Sequence, residues 1–255
     1  MPIAVANQNG HAIYVNPQDE RGRQMIEKNG SLNPPTLTMW QQLVARTDWT
    51  DVIDIGANYG EMLVGLRLSP HVRITAVEAN PQIAIYLDRT LREAGQNVRI
   101  VRKAISDTIG TAILLVDRQW SGTTRFASLQ RGEPSDRYDS LRVPTITFDS
   151  LLNINDLRHV RAAIKIDIEG YELPVLKSAL PTLNQMDCFE ILMEILFLTP
   201  DDLTWIFDNF SVQVYDLSTD TFVTVQKSVV EEMILSTASH PTYYRNDMIL
   251  SAKAG

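Results

Sequence analysis

The chain has 255 residues, 44% hydrophobic and 21% charged, with 31 acidic against 23 basic side chains and a formal net charge of −8. Such a chain is globular, and its negative balance repels phosphate backbones, which argues against nucleic acid as a partner. A lone Cys188 excludes an intramolecular disulfide and a cysteine-based zinc cluster and fits a reducing compartment. No basic stretch followed by an apolar run opens the sequence, and the most apolar segment, ILMEILFL, is short and carries Glu194. The expectation is a cytoplasmic protein without a membrane span, and no fixed-period repeat points to a solenoid or propeller.

Residues 1–50 read as an arm: a polar stretch with the charged segment DERGRQ, then a helix over PTLTMWQQLVAR with Leu37, Trp40 and Val44 on one face. From residue 51 strands and helices alternate. VIDI (52–55) leads through a glycine turn into EMLVGLRL, which reads as a helix. RITAVE (73–78) leads into PQIAIYLDRTLREAG, with Pro81 early and Gly95 at its end as a cap. NVRIV (97–101) and TAILLV (111–116) are further strands. AAIKIDI (162–168), the helix-like YELPVLKSALPTL, CFEILMEI (188–195) and the helix-like TPDDLTWIFDNF continue the rhythm. SVQVYDL, TFVTVQ and DMILSA close the chain as strands with little helix between them, so antiparallel pairing is expected there. This alternation predicts a doubly wound, mostly parallel α/β sheet over 51–255. The polar stretch 117–142 reads as a loop, and a loop of that length is a candidate lid.

The sharpest motif is DVIDIGANYGEM. Asp54 stands near the end of a strand, and Gly56 and Gly60 flank a turn in which backbone can approach a ligand closely. The spacing departs from the dinucleotide fingerprint, because Asn58 stands at the second glycine. An acid at Asp54 suits a ligand with a cationic group, such as the amino end and sulfonium of S-adenosylmethionine. Glu78 closes the second strand, where a carboxylate accepts hydrogen bonds from both ribose hydroxyls. In KIDIEG, alternation along a regular strand would put Lys165, Asp167 and Glu169 on one face, and Glu194 reaches the same sheet edge.

The ordered strings DIGANYG, AVEANP, KAISD and KIDIEGYELPVLKSA resemble the FkbM-type family of S-adenosylmethionine-dependent methyltransferases over about 51–195, and DMILSA fits that family's last strand. The resemblance implies a Rossmann-like, seven-stranded sheet with an antiparallel last strand, preceded here by an N-terminal helical arm. It also implies that Asp54, Gly56, Asn58 and Gly60 line the methionine and ribose side of the cofactor and that Glu78 binds the ribose. Ala104, Ile105, Ser106 and Asp107 would then sit at the adenine, and Asp167 would face the methyl group. The implied acceptor is a hydroxyl of a sugar, glycan or glycosylated natural product.

An alcohol acceptor calls for a base, and Asp167, Glu169, Glu194 and His240 are the candidates. A divalent metal on Asp167, Glu169 and Glu194 is possible but not favoured, since no H-x-E or D-x-D spacing accompanies them. Tyr59, Trp40 and Trp120 are candidate sugar-stacking aromatics. Two alternatives stay open: an NAD-dependent sugar dehydrogenase and a catalytically inactive cofactor-binding domain. The oligomeric state is not legible.

Overall fold

The computed structural model describes residues 2–129, 136–236 and 240–253. The arm opens with an antiparallel hairpin, β1 (Ile3–Ala6) and β2 (Ala12–Val15), followed by α1 (Glu20–Glu27) and α2 (Pro34–Val44). It is therefore not purely helical. Asn7 closes the hairpin turn by accepting the backbone N–H groups of Asn9 and His11 on its Oδ1. The charged DERGRQ segment is largely α1.

The main layer is built from β3 (Asp51–Ile55), β4 (Arg73–Val77), α3 (Pro81–Glu93) and β5 (Val98–Val101). An excursion follows through β6 (Ala104–Ile105), β7 (Gly110–Asp117), β8 (Arg125–Phe126) and β9 (Tyr138–Ile146) to α4 (Phe148–Leu152). The second half runs β10 (Arg161–Ile166), α5 (Glu172–Leu183), β11 (Cys188–Glu194), α6 (Pro200–Asn209), β12 (Phe210–Asp216), β13 (Thr221–Thr224), α7 (Lys227–Leu235) and β14 (Asp247–Ala252).

The central sheet has the order β13-β12-β14-β11-β10-β3-β4-β5. Strands β11, β10, β3, β4 and β5 pair in parallel, and β14 runs antiparallel between β11 and β12 as expected. The expected count of seven is exceeded by one: β13 folds back on β12 as an antiparallel edge strand. Helix α7, between β13 and β14, was not legible as such.

All five residues of β3 are buried, as a strand covered on both faces must be. Ile53, Ile55, Ile164, Ile166, Ile191 and Met193 pack on the side of α4 to α7. Val52, Ala76, Ala163 and Leu192 pack on the other side, with Met39, Trp40 and Leu43 of α2 and Leu87 and Leu91 of α3. Strand order reverses beside β3, so its carboxyl end and that of β10 flank a crevice.

The predicted helix over EMLVGLRL is only a turn. Val64 N–H bonds back to the Gly60 carbonyl, but Gly65 takes φ +88° and ends the winding. Carbonyls left open there are taken by side chains: Trp40 Nε1 donates to Met62 O and Gln96 Nε2 to Leu63 O, both at 2.9 Å.

The stretch 117–142 is more ordered than a loop. Strands β7 and β9 pair over eight residues from Gly110↔Thr145 to Asp117↔Tyr138, and β8 and two 3-10 turns follow β7. With β6 these strands form a second, four-stranded sheet. Residues 130–135 of the candidate lid lie outside the described residues.

Candidate active site

The turn after β3 is shaped by backbone necessity. Gly56 takes φ +87°, and a Cβ placed there would stand 1.9 Å from the Asp167 carbonyl oxygen at the end of β10. Only glycine lets the two strand ends come together. Gly60, at φ +88°, faces α3 instead, where a Cβ would meet Leu87 Cδ1 at 2.9 Å. It shapes the turn and does not line the cleft. Asn58 takes a left-handed φ of +46°, and its Oδ1 is buried without a partner.

Glu78, just past β4, accepts Asn58 N–H on one oxygen at 2.9 Å and Asn80 N–H on the other at 2.8 Å. Burial pushes its pKa up to about 7 despite these two bonds. A carboxylate offers roughly four acceptor positions, so two remain for a ligand.

Parallel register sets Lys165 beside Asp54. Both are buried, with Lys165 Nζ 3.9 Å from Asp54 and 2.9 Å from Asp167. Burial raises Asp54 to about 6, because neither of its oxygens has a hydrogen-bond partner and Lys165 compensates incompletely. Burial also acts to raise Asp167, but Lys165 and then Arg21 overcome it and hold that carboxyl below its ordinary value. Asp54 lies behind the cleft wall rather than on it.

Strand β10 stops at Ile166, so alternation does not carry on to Glu169. The chain bends instead: Glu169 takes φ +58° and Gly170 φ +102°. Glu172 holds the bend by accepting the Ile168 and Gly170 N–H groups. The bend, and not the pleat, brings Glu169 back to Asp167. Glu194, ending β11, completes the group, and one carboxylate oxygen from each of the three lies within 4.8 Å of the others. Burial first, then the neighbouring acids, raise Glu169 to about 8 and Glu194 to about 11. Three carboxylates this close can share protons or hold a hard cation.

A cleft of about 680 Å³, counted to its open mouth, joins the glycine turn, Glu78 and the end of β10, while Glu194 stands off its walls. Its walls include Gly56, Asn58, Glu78, Asp167 and Glu169, and an apolar side made by Ala79, Ala104, Ile105, Leu114 and Phe126. Ser106 and Asp107 lie beyond that wall. Ser106 Oγ and Tyr171 Oη both donate to Asp107 at 3.0 Å.

His240 does not line the cleft. Its Nδ1 accepts the backbone N–H groups of Thr242 and Tyr243, and its ring stacks on Tyr243. Among the aromatic candidates, Trp40 is core and Tyr59 is fully buried, its Oη donating to Asp19 at 2.6 Å.

The residues not foreseen come from the arm. Asp19 accepts Ser121 N–H and Ser121 Oγ as well as Tyr59 Oη, tying α1 to the turn after β7 and to the turn after β3. Arg21, two residues on, lines the cleft and forms an ion pair with buried Glu61. The acid-base mixture of DERGRQ was the available signal, but nothing in it pointed to the interior.

The family model described as "Methyltransferase FkbM domain" matches residues 54–215. No curated protein sequence matches the chain. Among solved structures, an O-methyltransferase from Bacillus cereus in complex with SAH is 14% identical, with a TM-score of 0.46 over 88% of this chain and 83% of that one. A putative O-methyltransferase from Klebsiella pneumoniae is 12% identical, with a TM-score of 0.48 over 88% and 82%. Among the described residues no helix is long and apolar enough to cross a membrane.

Proposed function

The chain belongs to the FkbM methyltransferase family, and from that premise we propose that it carries a methyl group from S-adenosylmethionine to a hydroxyl of a sugar, glycan or glycosylated natural product. The observation that carries this reading is the presence, in one cleft, of a ribose-type acceptor at Glu78 and of the carboxylates of Asp167 and Glu169.

The residues present fit the cofactor. Glu78 keeps acceptor positions for two hydroxyls, Asn58 Oδ1 lacks a partner, and the wall from Ala79 to Phe126 is an apolar slot for a purine. When bound, the cofactor supplies an electrophilic methyl group on a sulfonium. The protein's share is alignment and proton management. Asp167, held ionised by Lys165, places negative charge beside a cationic centre. Glu169 is the base, taking the acceptor's hydroxyl proton on a carboxylate oxygen as the new bond forms. Its raised value, about 8, places it near neutrality, where a base works best.

A second version rests on the convergence of Asp167, Glu169 and Glu194, which would hold a divalent cation that orients the acceptor oxygen. Turnover on a glycan and glycoside pool, followed by mass spectrometry with methyl-labelled cofactor, tests both. Glu169→Gln should lower turnover by about 10²–10⁴-fold with cofactor binding retained. Loss of activity with chelator and recovery with Mg²⁺ would favour the cation. Near-wild-type turnover in Glu169→Gln and Glu194→Gln would remove the carboxylates from the chemistry.

A further inference from the structure

We infer that Arg21, from the N-terminal arm, is the residue that binds the carboxylate of the cofactor's amino-acid end. The inference rests on the cofactor reading above and goes beyond it, since Arg21 lies outside the segment that matches the family model, residues 54–215.

Charge balance in the cleft leads to it. The amino-acid end of S-adenosylmethionine is a zwitterion. The acids on the cleft wall, Asp167 and Glu169, suit its ammonium and the sulfonium, but they repel its carboxylate. A buried carboxylate needs a cation of its own. Lys165 cannot serve: it is taken up between Asp167 and Asp54 and does not line the cleft. Lys103 is exposed and adjoins Ala104, on the apolar wall. Arg125 bonds Tyr138 Oη and lies over its ring. Arg21 remains.

Its placement is suited to the task. The ion pair with Glu61 pins its guanidinium to the turn that begins at Gly56. That pair uses one of its five N–H donors and is its sole hydrogen bond among the described residues. Nε is buried without a partner. Gly122, also on the cleft wall, lets the group pack close: a Cβ there would stand 2.5 Å from Trp120 Nε1 and 3.2 Å from Arg21 Nη1. Asp19, bonded to Ser121 and Tyr59, anchors the start of α1 and so fixes where Arg21 enters. A planar fork held this way matches a carboxylate in two-point geometry.

The test is calorimetric titration of the full chain with S-adenosylhomocysteine and with its decarboxylated analogue, which lacks only the carboxylate. Wild type should prefer the intact ligand by about 10–100-fold, the span of charge-assisted hydrogen bonds. Arg21→Met should lose that preference while holding the decarboxylated ligand within about threefold of wild type. Because Arg21→Met strands the Glu61 carboxylate, Arg21→Met/Glu61→Gln is run beside it and should behave alike, whereas Glu61→Gln alone should keep the preference. Equal weakening of both ligands, or an unchanged preference in the double variant, would overturn the assignment. Wild type binding neither ligand would instead bring down the cofactor reading, and this inference with it.

Discussion

At the scale of the residue, the site depends on one backbone contact more than on any side chain. Gly56 is where β3 and β10 meet, and the Asp167 carbonyl fills the space a Cβ would need. Gly56→Ala combines a left-handed φ with a clash against backbone, neither of which side-chain motion relieves. It should cost at least about 4 kcal/mol, in the tail of single-substitution effects, or prevent folding. Gly60→Ala meets only the end of the Leu87 side chain, so its cost should stay nearer the 1–3 kcal/mol of backbone strain. Urea unfolding of the two variants checks the order. Similar stabilities would mean that the strand ends can part.

The positions of several candidate residues are legible one by one. Glu78 follows from its place after a strand, and Asn58 and Gly56 from the turn they share. Asp167 and Glu194 follow from adjacent parallel strands ending together. Glu169 was expected on the right side of the molecule for the wrong reason. It arrives through a left-handed bend braced by Glu172, and alternation cannot see such a bend. His240 was a chemical possibility without a geometric one, since its Nδ1 is engaged by its own loop.

At the scale of the element, the arm and the second sheet act together. Asp19 joins α1, the 3-10 turn at Ser121 and Tyr59 through three hydrogen bonds, and Glu20 N–H adds a fourth link to Gln119 O at 2.6 Å. Removing a buried carboxylate leaves those donors unsatisfied, at about 1–3 kcal/mol. Asp19→Ala should therefore loosen α1 and the 121–124 turn together, leaving the central strands protected. Hydrogen exchange should show faster exchange in both segments. Loosening of one segment alone would mean that Asp19 does not couple them.

The strands of the parallel half were readable because buried β-branched runs separated by amphipathic helices leave few alternatives. What escaped reading were the elements whose form is set by partners far along the chain. The EMLVGLRL segment has helical spacing, but Gly65 and the side chains of Trp40 and Gln96 make a turn the stable form. The polar stretch 117–142 has strand ends because β9 pairs with β7, a contact no local window contains.

At the scale of the molecule, the concentration of buried acids makes stability depend on pH. Burial raises Asp54 to about 6, Glu78, Glu172 and Asp247 to about 7, and Glu169 to about 8. In the unfolded chain these carboxyls titrate near 4, so between pH 5 and 8 the folded state holds more protons. Stability from these groups is complete below the unfolded values and is lost as pH rises through the folded ones. Asp167 and Asp117, both lowered, act in the opposite sense, and their contribution fades only in acid. The ligand-free protein should therefore lose stability from pH 6 to 8, by about 1.4 kcal/mol per pH unit for each net proton. That corresponds to a Tm lower by about 2–4 °C per kcal/mol at this size. A melting temperature that is flat or rising over that range would show that these acids are already ionised.

A methyltransferase cofactor and a dinucleotide make different demands on this cleft. Calorimetric titration of the wild-type chain with S-adenosylhomocysteine and, separately, with NAD tells the two apart. S-adenosylhomocysteine should bind saturably and one-to-one, weakened at least tenfold in Glu78→Ala, and NAD should give no heat of binding. Saturable binding of NAD with none of S-adenosylhomocysteine would contradict the cofactor reading.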